Sequence, residues 1–566
     1  MLIMKMFSYL VLAVLFILSC KDNNLKKNIE IISVPTYSML VPKVKQLTKE
    51  EYEDWYHKDI IKDTIPGISL NKAYTFLIDK SIRDTIIVAI LDSPIDNNHE
   101  DLKQQIWINK NEIPNNGIDD DDNGYIDDIQ GWNFTGSSKG EQVLFSNYEF
   151  TRILRKYDSL FNNTTLDNSI SSKDSSSFQL YSKANKKFNK QIKLAIEDTI
   201  YGNMLYKSHS NAKNTLKTYF PNHNYTISSL DSLKLLYPKD TLLQRDILRM
   251  SNFIKYDFTE KYITNYKLLA EENINKLLNL SYNDRTILGD NSENLLDHNY
   301  GNNIVNQKIN FFEHSTIVSG VIGAKRNNNI GIDGVANVKI MPVCISVYGD
   351  EHDKDIALAI KYAVDNGAKV INMSFGKLFS LNKKWVDDAF KYAEKNNVLI
   401  VSSAGNNHFD LNKVENEYYP NDNINNGSEI SSNFMMIGAS SDEVNENLIT
   451  DFSNYGNIDV DVFAPGDNIK TTLPENSYTI ERGTSISTAI VSGIAALVWS
   501  YYPDLSAAEM KNVLMQSGNS YNINVEIKQE DGTKKTVPFS ELSKSGKIVN
   551  AYNALLIAEQ ISNNKK

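Results

Sequence analysis

The chain has 566 residues, 41% of them hydrophobic and 10% aromatic, enough to bury a sizeable core and to exclude global disorder. Its 59 basic and 70 acidic residues leave a formal charge of -11, which argues against nucleic acid as the main partner. Two cysteines, Cys20 and Cys344, exclude a disulfide framework.

Residues 6–18 are almost wholly apolar and follow Lys5, the pattern of a signal-peptide core too short to span a bilayer comfortably. The run ends in Ile17-Leu18-Ser19-Cys20, which resembles a bacterial lipobox, with a small residue just before the cysteine. This implies a signal peptide over 1–19 and a mature chain that starts at a lipid-modified Cys20. The product would be tethered to a membrane outside the cytoplasm, on a periplasmic or cell-surface face. A plain secretory signal or an N-terminal anchor helix is the alternative. Residues 20–80 then read as a tether and N-terminal extension.

Ile86-Ile87-Val88-Ala89-Ile90-Leu91 is a hydrophobic run with the length of a buried strand, and it ends on the carboxylate of Asp92. Further on, Asp119-Asp120-Asp121-Asp122-Asn123-Gly124-Tyr125-Ile126-Asp127 reads as Asp-x-Asp-x-Asn-Gly-x-x-Asp. Such a loop offers oxygen ligands from Asp119, Asp121, Asn123 and Asp127 around a sharp glycine turn, a pattern suited to calcium. Gln130 stands where a bidentate glutamate would complete an EF-hand, so a solvated acidic turn is the alternative. Any calcium here would be structural.

Residues 140–285 show helical periodicity, as in Tyr148–Leu154 and Tyr262–Leu269, and Gly202 is the only glycine between Gly140 and Gly289. Ser169–Ser177 reads as a loop or linker. A histidine, His314, opens the apolar helix-like stretch up to Gly323. Strand-like and helical runs then alternate: Val338–Ile345, Ala357–Val364, Lys369–Ser374, Trp385–Ala393 and Val398–Ser403. Alternation of this kind predicts an α/β fold, a parallel sheet flanked by helices, with ligands at the C-terminal strand ends. Cys344 falls within one such strand and reads as a buried small hydrophobe. Near the end, Gly483-Thr484-Ser485 precedes the apolar run Ala489–Trp499, which places Ser485 near a helix N-terminus.

Asp92, His314 and Ser485, in that order, with the motifs around them, resemble the subtilisin-like (S8) serine proteases. The resemblance covers roughly residues 50–136 and 280–560. It implies a serine endopeptidase with a subtilisin-like core acting on peptide or protein substrates through an acyl-enzyme, with no cofactor needed for the chemistry. Asp92 would orient His314, His314 would act as general base and Ser485 as nucleophile. Asn406 would donate to the oxyanion. Ser374, Phe375 and Gly376 would pair with an extended substrate, and Ser403, Ala404 and Gly405 would form the other wall of the primary pocket. Asp92 and His314 lie 222 positions apart, far more than in simple subtilases. Residues 140–285 are therefore expected to be a mainly helical insertion between a first catalytic part (81–139) and a second (286–560). The short stretch after Cys20 leaves little room for a folded inhibitory pro-domain.

Several residues depart from the family pattern: Pro94 after Asp92-Ser93, Ser315 and Ile317 after His314, and Ala489 and Ile490 after the serine. Each flanks the triad without removing a member. Pro94, Ser315 and Ile317 motivate one alternative, a catalytically silent subtilase-fold lipoprotein that binds or scaffolds; separately, an acyl or ester hydrolase could use the same triad. The oligomeric state is not legible in the sequence.

Overall fold

The computed structural model describes residues 46–162, 174–423, 427–529 and 532–566. The signal-peptide region, the lipobox with Cys20, and most of the Ser169–Ser177 linker lie outside the described residues.

A nine-stranded sheet forms the centre. In chain order its strands are β1 (Ile87–Asp92), β2 (Trp132–Asn133), β3 (Lys339–Cys344), β4 (Val370–Met373), β5 (Leu399–Ser403), β6 (Phe434–Ser440) and β7 (Val462–Pro465). Two hairpins stand apart from it, β8 (Ile469–Leu473) with β9 (Ser477–Glu481), and β11 (Asn524–Lys528) with β12 (Lys534–Pro538). The short strands β10 (Asn519–Ser520) and β13 (Lys547–Ile548) complete the sheet at one edge, in the order β10-β13-β7-β6-β5-β4-β1-β3-β2. All pairings in it are parallel except β10 with β13. Strands β1, β4, β5 and β6 are buried almost throughout, as expected of a parallel sheet covered on both faces.

Between β2 and β3 the described chain forms helices and no strand. These include α1 (Glu149–Phe161), α2 (Ser175–Leu216), α3 (Ile227–Leu236), α4 (Thr241–Lys255) and α5 (Glu260–Glu272). In α1, Phe150, Ile153, Leu154 and Phe161 form a buried apolar stripe, and Glu149, Thr151 and Arg152 in the first turns are buried beside it. The 42-residue α2 runs about 63 Å at 1.5 Å per residue, and α5 packs along it.

Six further helices cover the sheet: α6 (His314–Gly323), α7 (Asp353–Asp365), α8 (Lys383–Lys395), α9 (Thr484–Tyr501), α10 (Ala507–Ser517) and α11 (Ala551–Lys565). On one face α6, α9, α10 and α11 share an apolar core with β1 and β3–β7; α7 and α8 share another with the opposite face. Among the described residues α9 is the one helix long and apolar enough to cross a membrane, but it is buried within the protein. A helix apolar all round belongs in the core of a large domain, and α9 packs against both the sheet and α6.

Candidate active site

The C-terminal ends of neighbouring strands converge on one region. Asp92 ends β1, Ser374 follows β4, and Ser403 ends β5, with Asn406 three residues later. Two helices, α6 and α9, start here with His314 and Thr484-Ser485. The fold thus gathers residues that are hundreds of positions apart in sequence.

The Asp92 carboxylate is 2% exposed and accepts from His314 Nδ1 at 2.8 Å through Oδ2 and 3.0 Å through Oδ1. The Ser93 amide donates to the same carboxylate at 2.7 Å and holds its orientation. With Nδ1 committed as donor to a carboxylate, the neutral His314 ring keeps Nε2 as its basic nitrogen. Burial alone would lower the His314 pKa, but the charge and hydrogen bond of Asp92 outweigh it, with help from Glu351 and Glu481, and raise it. The side chain is 43% exposed.

The departures flanking the motif are accommodated. Neither Ser93 nor Pro94 adopts positive φ, so the proline fits the turn after β1. Ser93 Oγ accepts from the Ser315 amide at 3.3 Å, which ties the start of α6 to the end of β1. Ile317 packs into the core, as do Ala489 and Ile490 of α9. Cys344 is a buried free thiol whose pKa burial pushes up, an inert packing residue.

Ser485 sits in the first turn of α9, where helix N–H groups lack intrahelical acceptors. Its Oγ donates to the Ser374 carbonyl at 2.9 Å, and Ser374 Oγ donates back to the Ser485 carbonyl at 3.0 Å. The hydroxyl is therefore held by the carbonyl that follows β4. Gly483, just before the helix, has φ of +149°, a conformation open to glycine.

Asn406 Oδ1 accepts from the Thr484 amide and the Thr484 hydroxyl, both at 2.9 Å. This fixes the side-chain flip, leaving the Nδ2 donor on the other side; a Cβ placed on Gly483 would lie 3.4 Å from it. The Ser485 nitrogen lies close to the same point, 3.8 Å from a Cβ placed on Gly483.

Ser374-Phe375-Gly376 and Ser403-Ala404-Gly405 form the two sides of a slot, joined where Ser403 Oγ donates to the Phe375 carbonyl at 3.2 Å. The slot holds the Tyr418 ring. A Cβ on Gly376 would lie 2.2 Å from Tyr418 Cε1, and one on Gly405 2.6 Å from Tyr418 Cζ. Only glycine at both positions admits this ring.

A second Ser/His/Asp grouping lies nearby and is not a relay. His352 Nε2 meets Asp284 Oδ2 at 3.0 Å and Ser146 Oγ at 3.2 Å, so one ring nitrogen faces both partners. A relay needs opposite nitrogens. Burial holds the His352 pKa well below the usual range, and the group braces the chain around α1.

In the acidic loop the structure brings together Asp119, Asp121 and Glu112, whose carboxylate oxygens lie within 4.8 Å of one another. Glu112 was not legible in the loop motif. Asn123 Oδ1 instead accepts from the Tyr125 amide, and the Asp127 carboxylate accepts from the Asn116 and Gly117 amides. Glu112 and Asp119 accept from loop amides in the same way, so these bonds shape the loop without separating one oxygen donor from another.

Residues 83–540 match the sequence model of Peptidase S8, described as the Subtilase family. The chain is 33% identical over 226 residues to the "Cell wall-associated protease" of Bacillus subtilis (strain 168), covering 39% of this chain and 23% of that protein. It is 33% identical over 209 residues to "Alkaline elastase YaB" of Bacillus sp. (strain YaB), covering 37% and 50%. A solved protease structure from Pseudoalteromonas arctica PAMC 21717 aligns with 25% identity and a TM-score of 0.34, over 43% of this chain and 70% of that one. The chain thus spans half or less of the length of these two curated relatives.

Proposed function

The chain belongs to the subtilase family, and from that premise we propose that it is a serine endopeptidase whose triad is Asp92, His314 and Ser485. The observation that carries this reading is the buried Asp92 carboxylate on His314 Nδ1, 2.8 Å away, beside a serine at a helix N-terminus. Ser485 passes its proton to His314 Nε2 and attacks the scissile carbonyl carbon. The oxygen of the tetrahedral intermediate takes hydrogen bonds from Asn406 Nδ2 and the Ser485 N–H. His314 then protonates the leaving amine, and the acyl-enzyme is hydrolysed by a water deprotonated in the same way.

An extended substrate lies along residues 374–376, with its primary side chain directed into the slot where Tyr418 stands. That ring restricts the position to small residues. Ser485→Ala tests the mechanism: hydrolysis of an unstructured protein is lost while the melting temperature is retained. Undiminished hydrolysis by that variant refutes it.

Glu112, Asp119 and Asp121 would hold a structural calcium ion. An all-oxygen donor set suits this hard cation, and Asp121 Oδ1 is buried without a hydrogen-bond partner. The ion would bridge the two ends of the loop and take no part in peptide hydrolysis. Residues 1–19 and Cys20 support attachment to a membrane outside the cytoplasm. Mass analysis of the mature N-terminus tests this, by the presence or absence of a lipid on Cys20.

A second reading, a silent binding protein, rests on the Ser485 hydroxyl being held by the Ser374 carbonyl. Reaction of Ser485 with an active-site-directed phosphonate decides between them.

A further inference from the structure

A cavity of ≈ 510 Å³ opens beside His314, and one of its walls comes from the helical segment between β2 and β3. That wall is α5, through Asn265, Leu268 and Leu269. Ile263 and Ala270 on the same helix are buried, whereas Leu268 is 40% exposed. The facing walls are aromatic, with Phe311, Tyr348 and Phe375.

The segment is fastened to the cavity's floor. The Arg152 guanidinium, at the start of α1, donates to the carbonyls of Asp350 and Glu351 at 3.0 Å each. Asn147 Nδ2 donates to the Lys276 carbonyl at 2.7 Å, which ties the segment's two ends together. These contacts tie the start of α1 to the loop that carries Glu351 and to the residues just after α5.

Glu351 lines the cavity, is 8% exposed, and accepts from Ser346 Oγ at 2.7 Å. No ion pair reaches its carboxylate among the described residues. The nearby Lys377 ammonium is paired with Asp353 at 2.7 Å and donates to the Glu351 backbone carbonyl at 2.6 Å. Glu313 and Glu481 also line the cavity, and no lysine or arginine does. A buried carboxylate without a counter-ion is costly, and here the cavity beside it is open to a visiting cation. Burial pushes the Glu351 carboxyl up to about 7, so a cation beside it would favour its ionised form.

We propose that this cavity is a substrate subsite for a lysine or arginine side chain, its apolar stem lying against Leu268, Leu269 and the aromatic wall and its charged head on Glu351. Long cationic side chains bury their stems on apolar surface while the head keeps a polar partner, and aromatic faces favour the cation further. The inference rests on the peptidase reading for the identity of the ligand. It gives the helical segment a role in substrate choice, with Leu268, Leu269 and Glu351 as specificity-determining residues.

The test uses the full-length Ser485→Ala protein, so that binding is read without turnover. Fluorescein-labelled decapeptides carry one lysine, moved through an otherwise neutral sequence, each with a norleucine counterpart. The proposal predicts that lysine tightens binding at one position by at least about tenfold, the scale of one charged hydrogen bond. Adding Glu351→Gln removes that gain. Adding Leu268→Lys, a change on an exposed helix face, removes it independently by placing a cation in the cavity. Equal affinity for lysine and norleucine at every position overturns the proposal, as does a gain that survives both substitutions. A gain of equal size at every position also overturns it, since attraction to the net charge would then suffice. A protein that binds lysine selectively but hydrolyses nothing in its wild-type form would retain the subsite and refute the peptidase.

Discussion

Asp92→Asn isolates the link on which the mechanism depends. The carboxylate lies 2.8 Å from His314 Nδ1 and is screened from solvent. When Ser485 gives up its proton, His314 becomes an imidazolium whose charge centre is about 4 Å from the carboxylate charge; at an effective dielectric of about 20 that attraction is about 4 kcal/mol. Its loss alone slows acylation roughly a thousandfold. The amide of Asn can also present its N–H to Nδ1 and select the wrong tautomer, which carries the loss toward about 10⁴. The variant has a second signature in pH. Burial depresses the His314 pKa and Asp92 raises it, the latter prevailing, so removing the carboxylate lets burial lower it. Because His314 must be neutral to act as base, the acid limb of kcat/KM moves to lower pH in the variant. Stability follows the opposite limb: a raised histidine pKa stabilises the fold fully below the unfolded-state value and ceases to do so as pH rises through the folded-state value. The assay is kcat/KM on a fluorogenic peptide across the pH range, with melting temperature alongside. A loss under tenfold, or an acid limb that moves upward, refutes the assignment of Asp92 to His314.

Three further outcomes follow from the site. Asn406→Ala lowers kcat about 10²–10³-fold with KM nearly unchanged, because its amide acts on the oxyanion and not on the bound peptide; a change in KM alone contradicts that role. Tyr418→Gly vacates the slot between Gly376 and Gly405, so peptide-library profiling shifts from small residues at the primary position toward Phe and Leu; a wild-type protein that already prefers large aromatic residues there refutes the reading of the ring as a plug. Chelation lowers the melting temperature and added calcium restores it, whereas Glu112→Ala starts low and responds to neither; a wild-type transition indifferent to both treatments retires the site.

The three residues proposed as the triad each sit on a local signal in the sequence. Asp92 terminates an unbroken hydrophobic strand, and His314 and Ser485 precede apolar helical runs. The parallel sheet was legible from alternating strand and helix patterns, and β4 and β5 lie within the runs that predict them. What escaped depends on packing across the chain. Glu112 lies outside the Asp-x-Asp-x-Asn-Gly register and joins Asp119 and Asp121 through the turn of the backbone. Tyr418 reaches two glycines from different strand ends, and Leu268 lines the same cavity as His314 from a helix with no motif. The edge strands β10 and β13 have two residues each, too few for a period to register. The orientation of the Ser485 hydroxyl is a rotamer, which sequence patterns do not encode.

The central claim is that Ser485 is an activated nucleophile, and labelling with a fluorophosphonate probe tests it most directly. Wild-type protein in calcium is predicted to label covalently at Ser485, with labelling lost in both Ser485→Ala and His314→Ala. Folded wild-type protein that does not label, or label that persists in Ser485→Ala, would contradict the account.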